Sequence, residues 1–263
     1  MDNYIEKNRN AWNQKAIHHF DSEFYDVASF IAGKTSLNEI ELSILGDVSG
    51  KRILHLQCHF GQDSIALSRM GAKVTGVDFS EKAIALANDL ALKCNSDATF
   101  ICCDVYHLPK VLHEQFDMVF TSYGTVGWLP DINQWGHVIS HFLKPGARFI
   151  MADFHPVLWM FDNHFRFIQY PYFNIEAIVE QEDGTYADTN APIRNETISW
   201  NHSLSSILNS LLKNGISIIF IEEFDYSPCN CFQELQEIAP KKFRVKHLDN
   251  KIPMVYLIEA AKK

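Results

Sequence analysis

Two aspartates follow predicted β-strands at positions where carboxylates can hold the sugar and the base of a nucleoside. Asp78 comes directly after the apolar run that ends at Val77, and Asp104 follows the next predicted strand. The first can accept hydrogen bonds from a ribose diol, and the second can accept from the exocyclic amine of adenine. Each also has a structural interpretation, Asp78 as a helix cap and Asp104 as a turn residue. Because Ser80 is itself a good cap, we favour the ribose role for Asp78.

The loop after the first predicted strand decides which nucleoside ligand fits. A dinucleotide site needs G-x-G-x-x-G, because a pyrophosphate requires close approach of the backbone and a helix N-terminus. Here only Gly61 remains, and Gln57 and His59 stand where glycines are expected. Their side chains would obstruct a pyrophosphate, whereas a phosphate-free adenosine ligand tolerates a single glycine. The sequence therefore disfavours a NAD(P)-dependent oxidoreductase, an alternative that absence of NADH binding would exclude.

The histidines and cysteines do not form a recognisable metal motif. His55 and His59 have helical spacing, but they flank a strand-to-loop junction, where that spacing does not bring them to one face. None of the six cysteines belongs to a C-x-x-C pair, and Cys229-Asn230-Cys231 has the wrong spacing for a zinc knuckle. We expect no metal site, and we expect free thiols in a reducing cytoplasm.

From Lys51 onward, β-rich runs alternate with amphipathic helices. The predicted strands are 52–56, 72–77, 98–102, 116–121, 147–152, 216–224 and 254–260; the predicted helices are 62–70, 80–93, 131–143 and 203–213. Residues 144–146 are predicted to form a turn. Such alternation is typical of an α/β fold, a parallel sheet wrapped by helices on both faces. Ligands bind to such sheets at the carboxyl ends of the strands, where the loops with Asp78 and Asp104 fall.

Two segments lie outside this alternation. Residues 1–46 are predicted to be a helical cover, with helices at 3–20 and 37–45, the second capped by Thr35 or Ser36 and closed by Gly46. Residues 154–200 have no clean period, and we interpret them as an insertion or lid over the active edge of the sheet. With no linker and no internal repeat, residues 1–263 are expected to form a single domain.

Composition limits the possible partners. The chain has 263 residues, 47% of them hydrophobic, and a net charge of -9 with dispersed Lys and Arg, so no basic footprint for nucleic acid is visible. The sequence contains no run of about 18 apolar residues, so we expect no membrane span. The N-terminus carries no apolar signal segment, which favours a cytoplasmic location. The acidic balance favours a neutral or cationic small-molecule ligand.

The strand-end motifs resemble those of the class I S-adenosylmethionine-dependent methyltransferases. More narrowly, residues 55–63 resemble a bacterial branch whose first motif reads L-Q-C-H-x-G-x-D. The resemblance continues through 74–80, 104–105, 116–123 and 143–146, and it includes the N-terminal segment 8–13. It implies a doubly wound, Rossmann-like, three-layer αβα fold. The implied seven-stranded sheet is mostly parallel, and its antiparallel last strand, 254–260, is inserted beside 216–224.

The same resemblance implies where S-adenosyl-L-methionine binds. Its methionine part lies over the 57–61 loop, its ribose at Asp78, its adenine at Asp104 and Val105, with Ser122 facing the methionyl end. The sequence departs from the family at His55, where most members carry an acid that holds the cofactor's amino group. The implied cofactor-binding residues are Gln57, Cys58, His59, Gly61, Asp78, Phe79, Asp104, Val105 and Ser122.

The implied reaction is an in-line transfer of the cofactor's methyl group to a small-molecule acceptor. It requires a general base only if the acceptor arrives protonated, so the resemblance assigns no catalytic residue. His155 is a weak candidate, with a loop histidine bonded to local backbone as the alternative. A non-catalytic protein that binds S-adenosylmethionine or S-adenosylhomocysteine is also possible, and His55 favours it. Candidate cover residues are Trp12, His19, Phe20 and Tyr25, and candidate pocket aromatics are Tyr123, Trp128, Trp159, Tyr170, Tyr172 and Tyr226.

Overall fold

A seven-stranded β-sheet forms the centre of the protein in a computed structural model that describes residues 3–174 and 176–263. The strands are β1 (Arg52–Leu56), β2 (Lys73–Asp78), β3 (Thr99–Cys102), β4 (Phe116–Ser122), β5 (Leu143–Phe154), β6 (Ile178–Asp183), β7 (Arg194–Ser199), β8 (Ile216–Phe224), β9 (Leu235–Ala239), β10 (Lys242–Val245) and β11 (Val255–Lys262). The central sheet has the order β3-β2-β1-β4-β5-β11-β8. Strands β1 to β5 pair in parallel, and β11 runs antiparallel to both β5 and β8. The predicted mostly parallel sheet with an antiparallel last strand is confirmed.

Helices cover both faces of this sheet. They are α1 (Tyr4–Phe20), α2 (Val27–Ile31), α3 (Glu39–Leu45), α4 (Gln62–Arg69), α5 (Glu81–Lys93), α6 (Ile132–Phe142) and α7 (Leu204–Lys213). Ile53 packs in an apolar cluster with α4 and α5, whereas its neighbour Leu54 packs in another with α6 and α7. Successive strand residues point to opposite faces, so burial on both sides explains the continuous apolar runs. None of the described helices is both long and apolar enough to cross a bilayer.

Side-chain caps fix the starts of three helices that the sequence predicts. Ser80 Oγ accepts a hydrogen bond from the N–H of Ala83 at 3.0 Å, which caps α5. Asp131 accepts from two backbone N–H groups in the first turn of α6, and Ser203 accepts from one in α7. These short polar side chains satisfy donors that have no partner inside the helix, and they therefore set where it begins.

Two local predictions are wrong. Helix α3 begins at Glu39 and is capped by Asn38, not by Thr35 or Ser36, because Asn38 and Glu41 form a reciprocal capping box. Residues 144–146 lie within β5 instead of forming a turn, since β5 already pairs with β4 at Leu143 before a shift of register. Helix α2 and the antiparallel β9–β10 hairpin are not among the predicted elements.

The 154–200 segment contains a second antiparallel hairpin, β6–β7, which lies against α1. Asn8 of α1 both donates to the carbonyl of Ile198 at 2.7 Å and accepts from its N–H at 2.9 Å. Lys15, also on α1, forms an ion pair with Glu182 of β6. The described part of the segment therefore contacts the N-terminal helix. Its function as a lid stays a prediction.

Gly136 allows α6 and α7 to approach closely, so we expect Gly136→Ala to destabilise the fold. An added Cβ would lie 2.8 Å from the carbonyl oxygen of Ser210 and would also collide with the hydroxyl of that residue. Overpacking of this kind costs about 1–3 kcal/mol and outweighs the gain of about 1 kcal/mol in helix propensity. Urea denaturation measures the loss of stability. The exposed His137→Ala on the same helix is the control, expected to change stability by less than about 0.5 kcal/mol.

Candidate functional site

The 57–61 loop keeps a glycine-like backbone although two of its glycine positions carry side chains. Gln57 and His59 have φ of 55° and 51°, in the left-handed region, as does Gly61 at 80°. This conformation costs a non-glycine residue roughly 1–2 kcal/mol. Hydrogen bonds hold the loop there: Gln57 Nε2 donates to the carbonyl of Thr125 at 2.8 Å, and the N–H of His59 donates to Asp78 at 2.9 Å.

Gly61, the residue before α4, cannot carry a side chain. A Cβ at this position would lie 2.6 Å from the ring of Phe100, which comes from β3. Gly76 on β2 meets the same ring, at 2.7 Å from its ideal Cβ. The retained glycine of the first motif is thus required by the packing of β3 against the loop as well as by its positive φ.

Asp78 joins the ends of β1 and β2. One carboxylate oxygen accepts from the N–H of His59 and the other from the N–H of Ser80, both at 2.9 Å. Burial raises the pKa of this carboxyl group to about 6, while the backbone hydrogen bonds oppose the shift. Each oxygen has a second lone pair, so the group can still accept from a ribose. The ribose role of Asp78 stays a prediction. Asp78 also accepts from the backbone just before α5, which is close to the helix-capping role considered as its alternative.

Asp63 lies beside His55 at the end of β4, an arrangement that the sequence analysis did not foresee. Ser122 donates its hydroxyl proton to Asp63 Oδ2 at 2.9 Å, and Ser122 Oγ is 3.5 Å from His55 Nε2. His55 Nδ1 is 2.8 Å from Ser64 Oγ. Burial lowers the pKa of His55 to about 4, so the imidazole is neutral near pH 7. The signal in the sequence was the position of Asp63 within the first motif, two residues after Gly61.

Asp104 lines an open cleft of about 580 Å³, and Val105 follows it in the chain. Asp104 accepts from the N–H of Tyr106 at 2.9 Å, which is the turn role that was its structural alternative. Burial raises the pKa of its carboxyl group, and Val105 is itself buried. The same cleft is lined by Arg9 of α1, so the helical N-terminal segment reaches this end of the sheet.

Aromatic side chains from the N-terminal segment surround His59. His19 Nδ1 lies 3.0 Å from His59 Nε2, and the rings of Trp12 and Tyr25 have centroids 5.4 and 5.6 Å from that of His59. Burial lowers the pKa of His19 to about 2 and that of His59 to about 3, so both are neutral. The hydroxyl groups of Tyr25 and Tyr186 are 2.5 Å apart, which links this cover to the 154–200 segment.

Glu41, which is fully buried, and Tyr123, which is partly buried, form a hydrogen-bonded acid pair. The hydroxyl of Tyr123, the residue after β4, donates to Glu41 Oε2 at 2.7 Å. Burial, together with the negative charge of Asp63, raises the pKa of Glu41 to about 7. The group therefore exchanges its proton near neutral pH, a property suited to general acid–base chemistry.

Gln57 Oε1 is a buried acceptor with no hydrogen-bond partner among the described residues. An unsatisfied buried acceptor costs about 1–3 kcal/mol, so this oxygen is a ready binding group for a ligand N–H. Residues 3–174 and 176–263 contain no cluster of three or more His, Cys, Asp or Glu side chains able to hold a metal ion. The buried acceptor oxygen of Gln57 suits an organic ligand with N–H or O–H groups.

The other predicted pocket residues are spread over several environments. His155 Nδ1 accepts from the N–H of Val157, and its Nε2 lies 2.8 Å from Glu223 on β8, so the bond to local backbone is present. Trp128 contacts the ring of Trp12 at 5.4 Å between centroids. The remaining aromatic residues contact other groups. Trp159 packs against the ring of Phe232, and Tyr226 packs against that of Phe224. The hydroxyl of Tyr170 donates to Glu180, and that of Tyr172 accepts from the N–H of Leu204. Their roles toward a substrate stay predictions.

Comparison with known proteins shows a similarity to methyltransferases over the part of the chain that holds β1 to β4. Residues 53–146 match a family model described as a methyltransferase domain. An uncharacterised methyltransferase of Synechocystis is 33% identical over 136 residues, 50% of this chain and 60% of that protein. A ubiquinone biosynthesis O-methyltransferase of Alkalilimnicola ehrlichii is 31% identical over 108 residues, 41% of this chain and 43% of that protein. The chain therefore spans 60% or less of these relatives.

Solved structures share the fold at low sequence identity. An S-adenosylmethionine-dependent methyltransferase from Mesorhizobium loti is 22% identical, with a TM-score of 0.57 over 84% of this chain and 95% of the other. One from Clostridium acetobutylicum is 13% identical, with a TM-score of 0.58 over 97% and 98% of the two chains. These matches show that the Rossmann-like sheet is shared as a whole.

The buried Glu41 predicts a specific pH dependence of stability. Its pKa is about 7 in the folded state against 4.5 for the free side chain, so its contribution is complete below 4.5 and is lost as pH rises through 7. Relative to the wild type, Glu41→Gln should therefore gain about 3 kcal/mol in free energy of unfolding between pH 4.5 and pH 8. Urea denaturation across this range measures the difference. The exposed Glu39→Gln on the same helix should show a difference that stays within about 0.5 kcal/mol.

Proposed function

We propose that this chain is an S-adenosyl-L-methionine-dependent methyltransferase that acts on a small-molecule acceptor by in-line methyl transfer. The observation that carries the proposal is the 57–61 loop, with its left-handed backbone and the buried, unpartnered oxygen of Gln57. The loop stands at the carboxyl edge of a Rossmann-like sheet, where such folds bind their ligands. The methyltransferase-domain match over 53–146 supports the same conclusion.

The two ends of the cofactor call for different binding groups. Asp78 has free lone pairs for the ribose hydroxyl groups, and Asp104 lies beside the open cleft, where an adenine amine needs an acceptor. Cys58 lies in the loop after β1 and Phe79 in the loop after β2, and we include both in the proposed site because of these positions. The proposed site is completed by the backbone of Val105 and the hydroxyl of Ser122 at the ends of β3 and β4.

Asp63 is proposed to compensate for the missing acid at His55. The cofactor's methionyl end carries an ammonium group, and neutral His55 supplies no opposing charge. Asp63 does supply one, and the hydroxyl of Ser122 between the two side chains orients its carboxylate. Together with Gln57 Oε1, this gives the ammonium two acceptors. Charge-assisted hydrogen bonds of this type are about twice as strong as neutral ones.

The cofactor supplies an activated methyl group, so the protein has to align the acceptor and exclude water. The aromatic cover around His59 serves the second task because it removes the loop from solvent. If the methyl acceptor arrives protonated, a base must take its proton. Glu41, reached through Tyr123, has a pKa of about 7, whereas burial lowers the pKa of His155, so we favour Glu41 as this base. Which acceptor atom receives the methyl group is left open by this proposal.

A non-catalytic cofactor-binding protein is the second candidate, and the replacement of the expected acid by His55 favours it. Incubation of the purified chain with S-adenosylmethionine and a panel of amine, phenol, thiol and carboxylate acceptors distinguishes the two. Release of S-adenosylhomocysteine above the acceptor-free background establishes transfer. Cofactor binding without release on any class of acceptor supports the binding protein.

Asp63→Asn should weaken the binding of S-adenosylhomocysteine by roughly 10- to 100-fold, because a charge-assisted hydrogen bond contributes about 1.5–3 kcal/mol. Isothermal titration calorimetry measures the affinity. The exposed Asp97→Asn, at the opposite end of β3, is the matched control and should bind as the wild type does. An analogue without the amino group should bind the wild type and Asp63→Asn equally. Equal loss for both ligands would instead show that Asp63 acts on the fold of the loop.

Asp78→Ala tests the ribose end independently. We expect a loss of about 1–3 kcal/mol in binding free energy from the missing hydrogen bonds. Thermal unfolding of the variant, measured in parallel, reports how much of the effect comes from the released His59 and Ser80 amides. An unchanged affinity would refute the ribose assignment.

A further inference from the structure

The loop after β8 brings two thiols into contact. Cys229 Sγ and Cys231 Sγ are 3.4 Å apart, and the hydroxyl oxygen of Ser227 is 3.6 and 4.0 Å from them. A disulfide bond is about 2.05 Å long, so side-chain rotations that move the sulfurs together by about 1.4 Å suffice to form one. Both side chains are partly exposed, which gives a small oxidant access to them.

The backbone that carries these thiols is already ordered. Ser227 is fully buried, and its N–H and carbonyl form two hydrogen bonds with Phe243 of β10, at 2.8 and 2.9 Å. Its hydroxyl donates to the carbonyl of Cys229 at 2.7 Å. Because the chain around the thiols is fixed at this point, closing a bond between them costs little conformational entropy.

The two thiols differ in their readiness to react. The hydrogen bond between the two thiols lowers the pKa of Cys229, whereas burial raises the pKa of Cys231. The thiolate is the nucleophile in sulfur chemistry, so Cys229 is the attacking group and Cys231 the resolving one.

The remaining cysteines lack such a partner. Cys58 is buried and donates to the carbonyl of His59, and burial raises its pKa. Cys102 and Cys103 are adjacent in the chain, but their thiols donate to the carbonyls of Phe79 and Asp104, not to each other. Of the six cysteines, all within the described part of the chain, Cys229 and Cys231 alone have sulfur atoms in contact.

We propose that Cys229 and Cys231 form an oxidative modification site that reacts with a hydroperoxide and closes to a reversible disulfide. The Cys229 thiolate attacks a peroxide oxygen, the O–O bond breaks, and the departing hydroxide takes a proton to leave water and a sulfenic acid. Cys231 then attacks the Cys229 sulfur, the S–O bond breaks, and a second water leaves. In sum, two thiols and one hydrogen peroxide give one disulfide and two waters.

This site lies beside the contact that joins the N-terminal cover to the 154–200 segment. Burial raises the pKa of Tyr186, and the neighbouring thiols of Cys231 and Cys229 add to the shift. Tyr186 in turn shares a hydrogen bond with Tyr25. The proposal concerns thiol chemistry alone, so its test is independent of methyl transfer.

Peptide mapping of the full chain after exposure to hydrogen peroxide tests the site. Trypsin releases residues 214–241 as one peptide that holds both thiols. After oxidation we expect this peptide to lose two hydrogen atoms in mass and to resist alkylation by iodoacetamide. Dithiothreitol should restore both alkylation sites. Both thiols still alkylated, or oxidised separately to sulfinic acids, would overturn the proposal.

Single substitutions separate the two roles. In Cys231→Ser the disulfide should be lost completely, and dimedone should label a sulfenic acid on Cys229. In Cys229→Ser neither product should form on Cys231, and labelling of Cys231 instead would contradict the assigned roles. Cys102→Ser is the matched control and should form the disulfide as the wild type does. Circular dichroism of each variant shows whether the fold is retained, so that a negative result is read on folded protein.

Discussion

The carboxylate of Asp78 is the interaction on which the geometry of the site depends. It binds the N–H of His59 and the N–H of Ser80, and thus connects the loop after β1 to the start of α5. Together with the hydrogen bond from Gln57 to Thr125, this connection offsets the cost of holding Gln57 and His59 in left-handed conformations. The loop therefore keeps the backbone conformation of a glycine-rich motif at the edge of the sheet, although only Gly61 is a glycine.

Side chains at these former glycine positions give the loop contacts that glycine could not make. Gln57 reaches Thr125 after β4, and His59 reaches His19 of α1. The substituted motif is therefore linked directly to the N-terminal cover. Because the pKa values of His19 and His59 are lowered, both are neutral near pH 7, and protonating them in acid destabilises this contact.

Local signals in the sequence predicted the fold well. The alternation of β-rich and amphipathic runs correctly predicted the strands of the central sheet. Cap residues such as Ser80 and Asp131 correctly predicted where most helices begin. The error at the start of α3 came where three residues compete: Thr35, Ser36 and Asn38 are all plausible caps, and the reciprocal bond with Glu41 decides for Asn38. The β9–β10 hairpin is short and partly exposed, so its strands lack a strong apolar pattern.

The site was predictable only where it follows strand ends. The positions of Asp78, Asp104 and Ser122 near strand ends follow from the sequence because parallel strands bring their carboxyl ends to one edge, while their roles toward a ligand stay predictions. The neighbourhood of Asp63 and His55, the pair of Glu41 with Tyr123, and the contact of Cys229 with Cys231 all depend on tertiary packing or side-chain rotation. For the Asp63 neighbourhood, the only signal in the sequence is the position of Asp63 two residues after Gly61.

The central claim is that the 57–61 loop and the neighbouring strand ends bind an adenosine ligand without a pyrophosphate. Calorimetric titration of the wild-type chain with S-adenosylhomocysteine, with NADH in a parallel cell, tests this most directly. The account predicts saturable binding of S-adenosylhomocysteine at micromolar concentration and no heat from NADH. Binding of NADH, or binding of neither ligand, would contradict it.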